Sequence, residues 1–189
     1  MINNHEEENT MKKMIAALLT LSMVFAVAMT ALSEEPVTWK FMNGIEFNMD
    51  MEQVMELAAL PNPEIESQKM RGPTEFYELE YDKFTDATGL TAELKFFFVG
   101  NSLVAIHADC IDGTDYNSVK EILTSTYGEA VPFDAAKIGN ARFVIDDDGE
   151  LDDCREMIET KGLTIVLEQD REGDVDVTFL DMTAAYINA

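Results

Sequence analysis

From Val37 onward the hydrophobic positions follow two rhythms, one of about 3.6 residues and one of two. Val37, Trp39 and Phe41 alternate with Thr38 and Lys40, which predicts a strand or extended arm in "VTWKF". Asn43-Gly44 is a turn signal. Asp50 then stands as a helix N-cap, with Gln53 three residues on to complete a capping box and Glu52 suited to the positive helix end. Met51, Val54, Met55 and Ala58 form one apolar stripe, as core packing requires. Pro61 and Pro63 end the helix.

Three strands are predicted next. In "FYELEYDKF", Tyr77, Leu79 and Tyr81 share one face and Phe76, Glu78 and Glu80 the other. In "TAELKFFFV", Leu94, Phe96 and Phe98 oppose Glu93, Lys95 and Phe97. Gly100-Asn101 marks a hairpin turn. In "SLVAIHADC", Val104, Ile106, Ala108 and Cys110 oppose Ala105, His107 and Asp109.

The order then begins again. Thr114 or Asp115 caps a second helix with Tyr116, Val119, Leu123 and Tyr127 on one stripe, Gly128 past its end and Pro132 beyond. "ARFVID", "LTIVLEQ" and "VDVTFLD" read as strands. "DDDGELDDCREMIETKG" between the first two reads as a short helix capped by Asp152 or Asp153 and ended by Gly162. Asp50 and Val54 match Asp115 and Val119 at a constant offset. The pattern predicts two copies of a helix-plus-three-strand unit, spanning about 37–112 and 113–183. Together they make one α+β domain over 34–189: a six- to eight-stranded, mostly antiparallel sheet with helices packed on one face. The opposite face is left to solvent or to a partner.

The text before this domain is of another kind. Residues 1–33 read as an extension followed by a secretory signal: Lys12 and Lys13, an uncharged stretch from Met14 to Leu32, and small residues at Ala31-Leu32-Ser33 or Ala26-Val27-Ala28 for cleavage. The acidic "MINNHEEENT" ahead of Met11 is unusual for a signal. The apolar run is also long enough to stay as an uncleaved anchor. Both readings place the domain outside the cytoplasm: secreted, or at the cell surface if the leader stays. The first cysteine is Cys110, which excludes a lipoprotein anchored through a cysteine near the leader.

Charge narrows the function classes. Removing Glu6, Glu7, Glu8, Lys12 and Lys13 from the 37 acidic and 13 basic residues leaves a net charge of about −23. Such a surface repels nucleic acid and anionic lipid, so neither is expected as a partner, with no membrane contact beyond the signal or anchor. It suits solubility, or attraction to a basic partner or to divalent cations. Cys110 and Cys154, outside the cell, are candidates for one disulfide or for two thiols.

Sequence signatures for catalysis are absent. His107 is the only histidine after Met11, mid-strand between Ile106 and Ala108, with no nucleophile motif beside it. No GxSxG, HExxH, CxxC, P-loop or GxGxxG text occurs. No cofactor is implied. Histidine and cysteine are too few for a transition-metal centre. Asp146, Asp148 and Asp152 are weak calcium candidates within an acidic loop whose spacing fails the EF-hand pattern.

"GIEFNMDMEQVMEL", a following proline and aromatic hairpin strands resemble the tandem-repeat fold of the β-lactamase inhibitor proteins and the SmpA/OmlA (BamE-type) lipoprotein domain. There a short "G-M-S/T-x-x-E-V" helix start precedes a β-meander. Phe47 to Val54 fits that pattern, with Asn48 where glycine is usual, and Asp115 to Val119 with "TYGEAV" looks like its second copy. The resemblance covers about 45–180 and implies a bacterial, exported module that binds a protein and does not catalyse. The lipidated cysteine and the extra disulfides of those families have no counterpart here. The expected function is a non-catalytic, inhibitor-like binding module with an unknown protein partner. Its candidate binding residues are Glu78, Lys95, Phe97, His107 and Thr178 on the outer sheet face; Phe97 packed under a loop or an arm such as "VTWKF" is the alternative. A secreted hydrolase using a carboxylate pair and a structural domain of the cell envelope are the other readings.

Overall fold

The capping box at Asp50 forms as its spacing predicts. The computed structural model describes residues 39, 41–69, 75–85, 91–110, 115–145 and 151–184. In it the Asp50 carboxylate accepts the Gln53 N–H at 2.9 Å, and the Gln53 side chain accepts the Asp50 N–H at 3.0 Å. Helix α1 (Met51–Ala58) turns Val54 and Ala58 into the core. Helix α2 (Tyr116–Tyr127) is capped by Asp115, whose side chain accepts the Ser118 N–H at 2.9 Å, and buries Val119, Leu123 and Tyr127. It ends at Gly128, whose φ of +124° suits glycine alone. The predicted leader, 1–33, lies outside the described residues, and so does most of "VTWKF".

The strands are β1 (Glu64–Lys69), β2 (Glu75–Thr85), β3 (Thr91–Val99), β4 (Ser102–Cys110), β5 (Val131–Pro132), β6 (Cys154–Thr160), β7 (Leu163–Gln169) and β8 (Val175–Asp181). They form one sheet in the order β1-β2-β3-β4-β8-β7-β6-β5. Every neighbouring pair is antiparallel. The fold is α+β. The strands following α1 fill one half of the sheet, those following α2 fill the other, and β4 meets β8 at the join. Gly100 and Asn101 make the two-residue β3–β4 turn, with Val99 opposite Ser102.

The front face carries the larger core. Leu79, Phe96, Ile106, Ile165, Val177 and Phe179 cluster there with Val54, Val119 and Leu123 of the helices. Trp39 and Phe41 join this face outside any strand: Trp39 packs on Tyr127 with ring centroids 5.7 Å apart, and Phe41 packs on Phe47 at 4.9 Å and on Phe179 at 5.6 Å.

Two sequence expectations are exchanged. "ARFVID" is helical where described, a 3-10 turn at Gly139–Ala141 followed by α3 (Arg142–Ile145). Ile138, Ala141 and Val144 lie three residues apart and all are buried, a helical spacing that the short apolar run by itself conceals. The expected helix over Asp152–Gly162 is instead the turn at Asp152 and Asp153 followed by β6. A bulge between Cys154 and Glu156 breaks the alternation that would mark a strand.

That exchange changes the back of the sheet, which is not left open. Residues 138–145 lie across it, and Ile138, Ala141, Val144 and Ile145 pack with Phe76, Phe97, Val104, Ala105, Met157, Val166 and Leu180 as a second core.

Candidate binding face

Register places four of the five predicted outer-face residues together. Glu80, Lys95, His107 and Thr178 stand directly opposite one another across β2, β3, β4 and β8, and Glu78 lies one step away, opposite Phe97. Phe97 is a correction. It is buried under residues 138–145, with its ring 5.7 Å from that of Phe76, so it is core and not an exposed anchor. Its cover comes from the 138–145 segment, while the described residues of "VTWKF", Trp39 and Phe41, lie in the front core. Glu78 and Thr178 are also buried, the latter fully.

The polar contacts radiate from Lys95 and Thr178. The Lys95 ammonium lies 2.9 Å from Glu93 and 3.9 Å from Glu78. Burial works against its charge, but the hydrogen bond to Glu93 and the charges of Glu93, Glu78 and Glu80 outweigh it and raise its pKa. Thr178 Oγ1 is 3.2 Å from Glu168 Oε1 and 2.9 Å from His107 Nδ1. The threonine hydroxyl has one proton. It donates that proton to the carboxylate, so its oxygen accepts from Nδ1–H of His107. This fixes the tautomer and leaves the lone pair on Nε2. Burial, and then the Lys95 charge, lower the His107 pKa to about 4. A base that weak is a poor proton acceptor near neutrality. The buried Thr178 hydroxyl is out of reach of a substrate.

The next row is acidic. Glu93, Asp109, Asp176 and Glu168 stand opposite one another across β3, β4, β8 and β7. Like charges in directly opposite positions oppose sheet pairing; here Glu93 is paired with Lys95 and buried Glu168 accepts from Thr178. The alternation within each strand displays Glu93, Asp109 and Glu80 beside the predicted residues. Asp176 and Glu168 needed the pairing of β4 with β8 and of β8 with β7, which residue spacing does not encode.

No family model, curated protein or solved structure matches this chain.

The remaining candidates lie elsewhere. Asp146 and Asp148 fall outside the described residues, and Asp152 is an exposed turn residue. The described carboxylates that do converge are Asp170, Glu172 and Asp174 in the β7–β8 turn. There Asp170 Oδ1 accepts the N–H groups of Glu172, Gly173 and Asp174 at 2.7–2.8 Å, so it organises the turn itself. Cys110 on β4 and Cys154 on β6 have β8 and β7 between them. Three strand spacings are about 14 Å, beyond the roughly 7 Å Cα separation that a disulfide spans. The candidate bridge does not fit this sheet. Among the described residues, no helix is long and apolar enough to cross a membrane.

Proposed function

We propose that this chain is an exported, non-catalytic module that binds a protein partner through a cationic surface. The observation that carries the reading is the partly exposed acidic set Glu80, Glu93, Asp109 and Asp176 on neighbouring strands, with Lys95 among them and Glu78 and Glu168 buried beside it. A net charge of −24 extends its attraction into solution. The weak basicity of His107 and the burial of Thr178 favour binding over catalysis. The signal-like leader supports export to where such a partner is met.

The same reading extends to the architecture. Each long helix precedes four strands, not the three that the sequence pattern predicts, and the strand order runs outward in mirrored sequence from the β4–β8 join. This supports two copies of one helix-plus-strands unit, and with them kinship to the tandem-repeat inhibitor and BamE-type modules, whose task is protein binding.

The test is capture by the immobilised protein from extracytoplasmic extracts, with a Glu93→Lys/Asp109→Lys variant in parallel. The expected result is a defined basic protein that the wild type holds at low salt, releases at high salt and loses in the variant. Equal retention by both proteins would overturn the reading.

A further inference from the structure

The two edges of the sheet are built differently. One edge is β5, two residues long and ending in Pro132. A strand that short, with a proline in it, is a poor template for another chain. The other edge is β1, six residues in unbroken register with β2 and free of proline. No described strand lies beyond it, so its outer backbone groups face away from the sheet.

Glu64, Ile65 and Glu66 at the start of β1 alternate in chemistry as well as in direction. Ile65 lies opposite Leu79 on the front face, while Glu64 and Glu66 lie opposite Glu80 and Glu78 on the back. Ile65 is 54% exposed, which is exceptional for a large apolar residue among the described residues. It borders a cleft of about 370 Å³ lined by Met51, Glu75, Tyr77 and Phe98. Glu64 and Glu66 are exposed. The edge thus offers a backbone ladder with Ile65 and its cleft on one side and the charges of Glu64 and Glu66 on the other.

We infer that β1 is a strand-addition site for an extended segment of the protein partner, a segment in which apolar residues alternate with Lys or Arg. This rests on the binding function proposed above and specifies how the partner is held. A strand laid against β1 sends successive side chains to opposite faces. Its apolar residues fall beside Ile65 and over the cleft, and its cationic residues fall beside Glu64 and Glu66. The ladder supplies affinity and the alternation supplies selectivity. A second copy of this chain is the wrong occupant, because it would bring another net charge of −24 to the same edge.

The test uses a fluorescent ten-residue peptide alternating Lys and Val, compared by anisotropy with a peptide of the same composition in two blocks. The alternating peptide is expected to bind at least about tenfold more tightly. Glu64→Lys/Glu66→Lys is expected to remove at least about tenfold of that affinity, the weight of two reversed rim charges. Both positions are exposed, so an unchanged circular-dichroism spectrum and melting temperature are expected for the variant. Two further peptides carry backbone N-methyl groups on one or the other alternate set of residues. Only the set facing β1 donates to the ladder, so one peptide loses binding and the other keeps it. Equal binding of block and alternating peptides, or equal behaviour of the two methylated peptides, overturns the inference. Self-association through β1 in sedimentation equilibrium overturns the choice of occupant. Partner capture that survives Glu64→Lys/Glu66→Lys but is lost in Glu93→Lys/Asp109→Lys removes the strand-addition site alone. Capture insensitive to both variants removes the binding function as well.

Discussion

His107 gives the sharpest physical prediction. Its ordinary pKa is 6.5, and in the folded protein burial and the Lys95 ammonium lower it to about 4. The folded state therefore resists a proton that the unfolded state accepts. The stability linked to this group is fully present above about pH 6.5 and falls as pH drops toward 4, below which both states are protonated. At about 1.4 kcal/mol per pH unit the span amounts to up to about 3 kcal/mol. The assay is nitrogen-15 NMR of the imidazole. At neutral pH it should show the Nδ1–H tautomer, because Thr178 Oγ1, 2.9 Å away, must accept from it while donating to Glu168. On titration the apparent pKa should lie near 4. Lys95→Met removes the second cause and leaves the first, so the pKa should rise but remain below 6.5. Thr178→Val should abolish the tautomer preference and cost about 1–3 kcal/mol, because the buried Glu168 carboxylate loses a donor. An Nε2–H tautomer at neutral pH, or a pKa at or above 6.5, would refute the hydrogen-bond assignment and the burial behind it.

Other consequences follow from the packing. Phe97→Ala should cost about 3–5 kcal/mol by denaturant titration, since Phe97 is core and not surface; a loss under 1 kcal/mol would restore it as an exposed anchor. Asp50→Ala removes the capping box and should cost about 1 kcal/mol. Gly162→Ala should cost more than about 1 kcal/mol: φ is +83°, and a Cβ there would meet Thr183 Cγ2 at 2.6 Å. Mass spectrometry of the alkylated, unreduced protein should detect no Cys110–Cys154 bridge, and reductant should leave the melting temperature unchanged.

The helices were the most legible elements. Their caps are local: Asp50 with Gln53 and Asp115 with Ser118 are each three residues apart, and neither needs tertiary contact to be recognised. Alternation also placed Glu78, Lys95 and His107 on one face, as the register bears out. Three features were hidden. β1 carries only Ile65 as an apolar residue in "EIESQK", so an edge strand without a core face left no rhythm to read. β6 lost its rhythm to a bulge. The 138–145 segment has an apolar run too short to separate helix from strand, yet it decides whether the back of the sheet is core or surface. The acidic row was invisible for another reason: it depends on β4 pairing with β8, and their paired residues, such as His107 and Thr178, are far apart in sequence.

Chemical-shift mapping with the captured partner tests the binding face most directly. Shifts are expected at the amides of Glu64–Glu66, Glu78–Glu80, Glu93–Lys95 and His107–Asp109, fading as salt is added. Shifts confined to α1 and α2, on the opposite side of the sheet, and indifferent to salt would contradict this binding face.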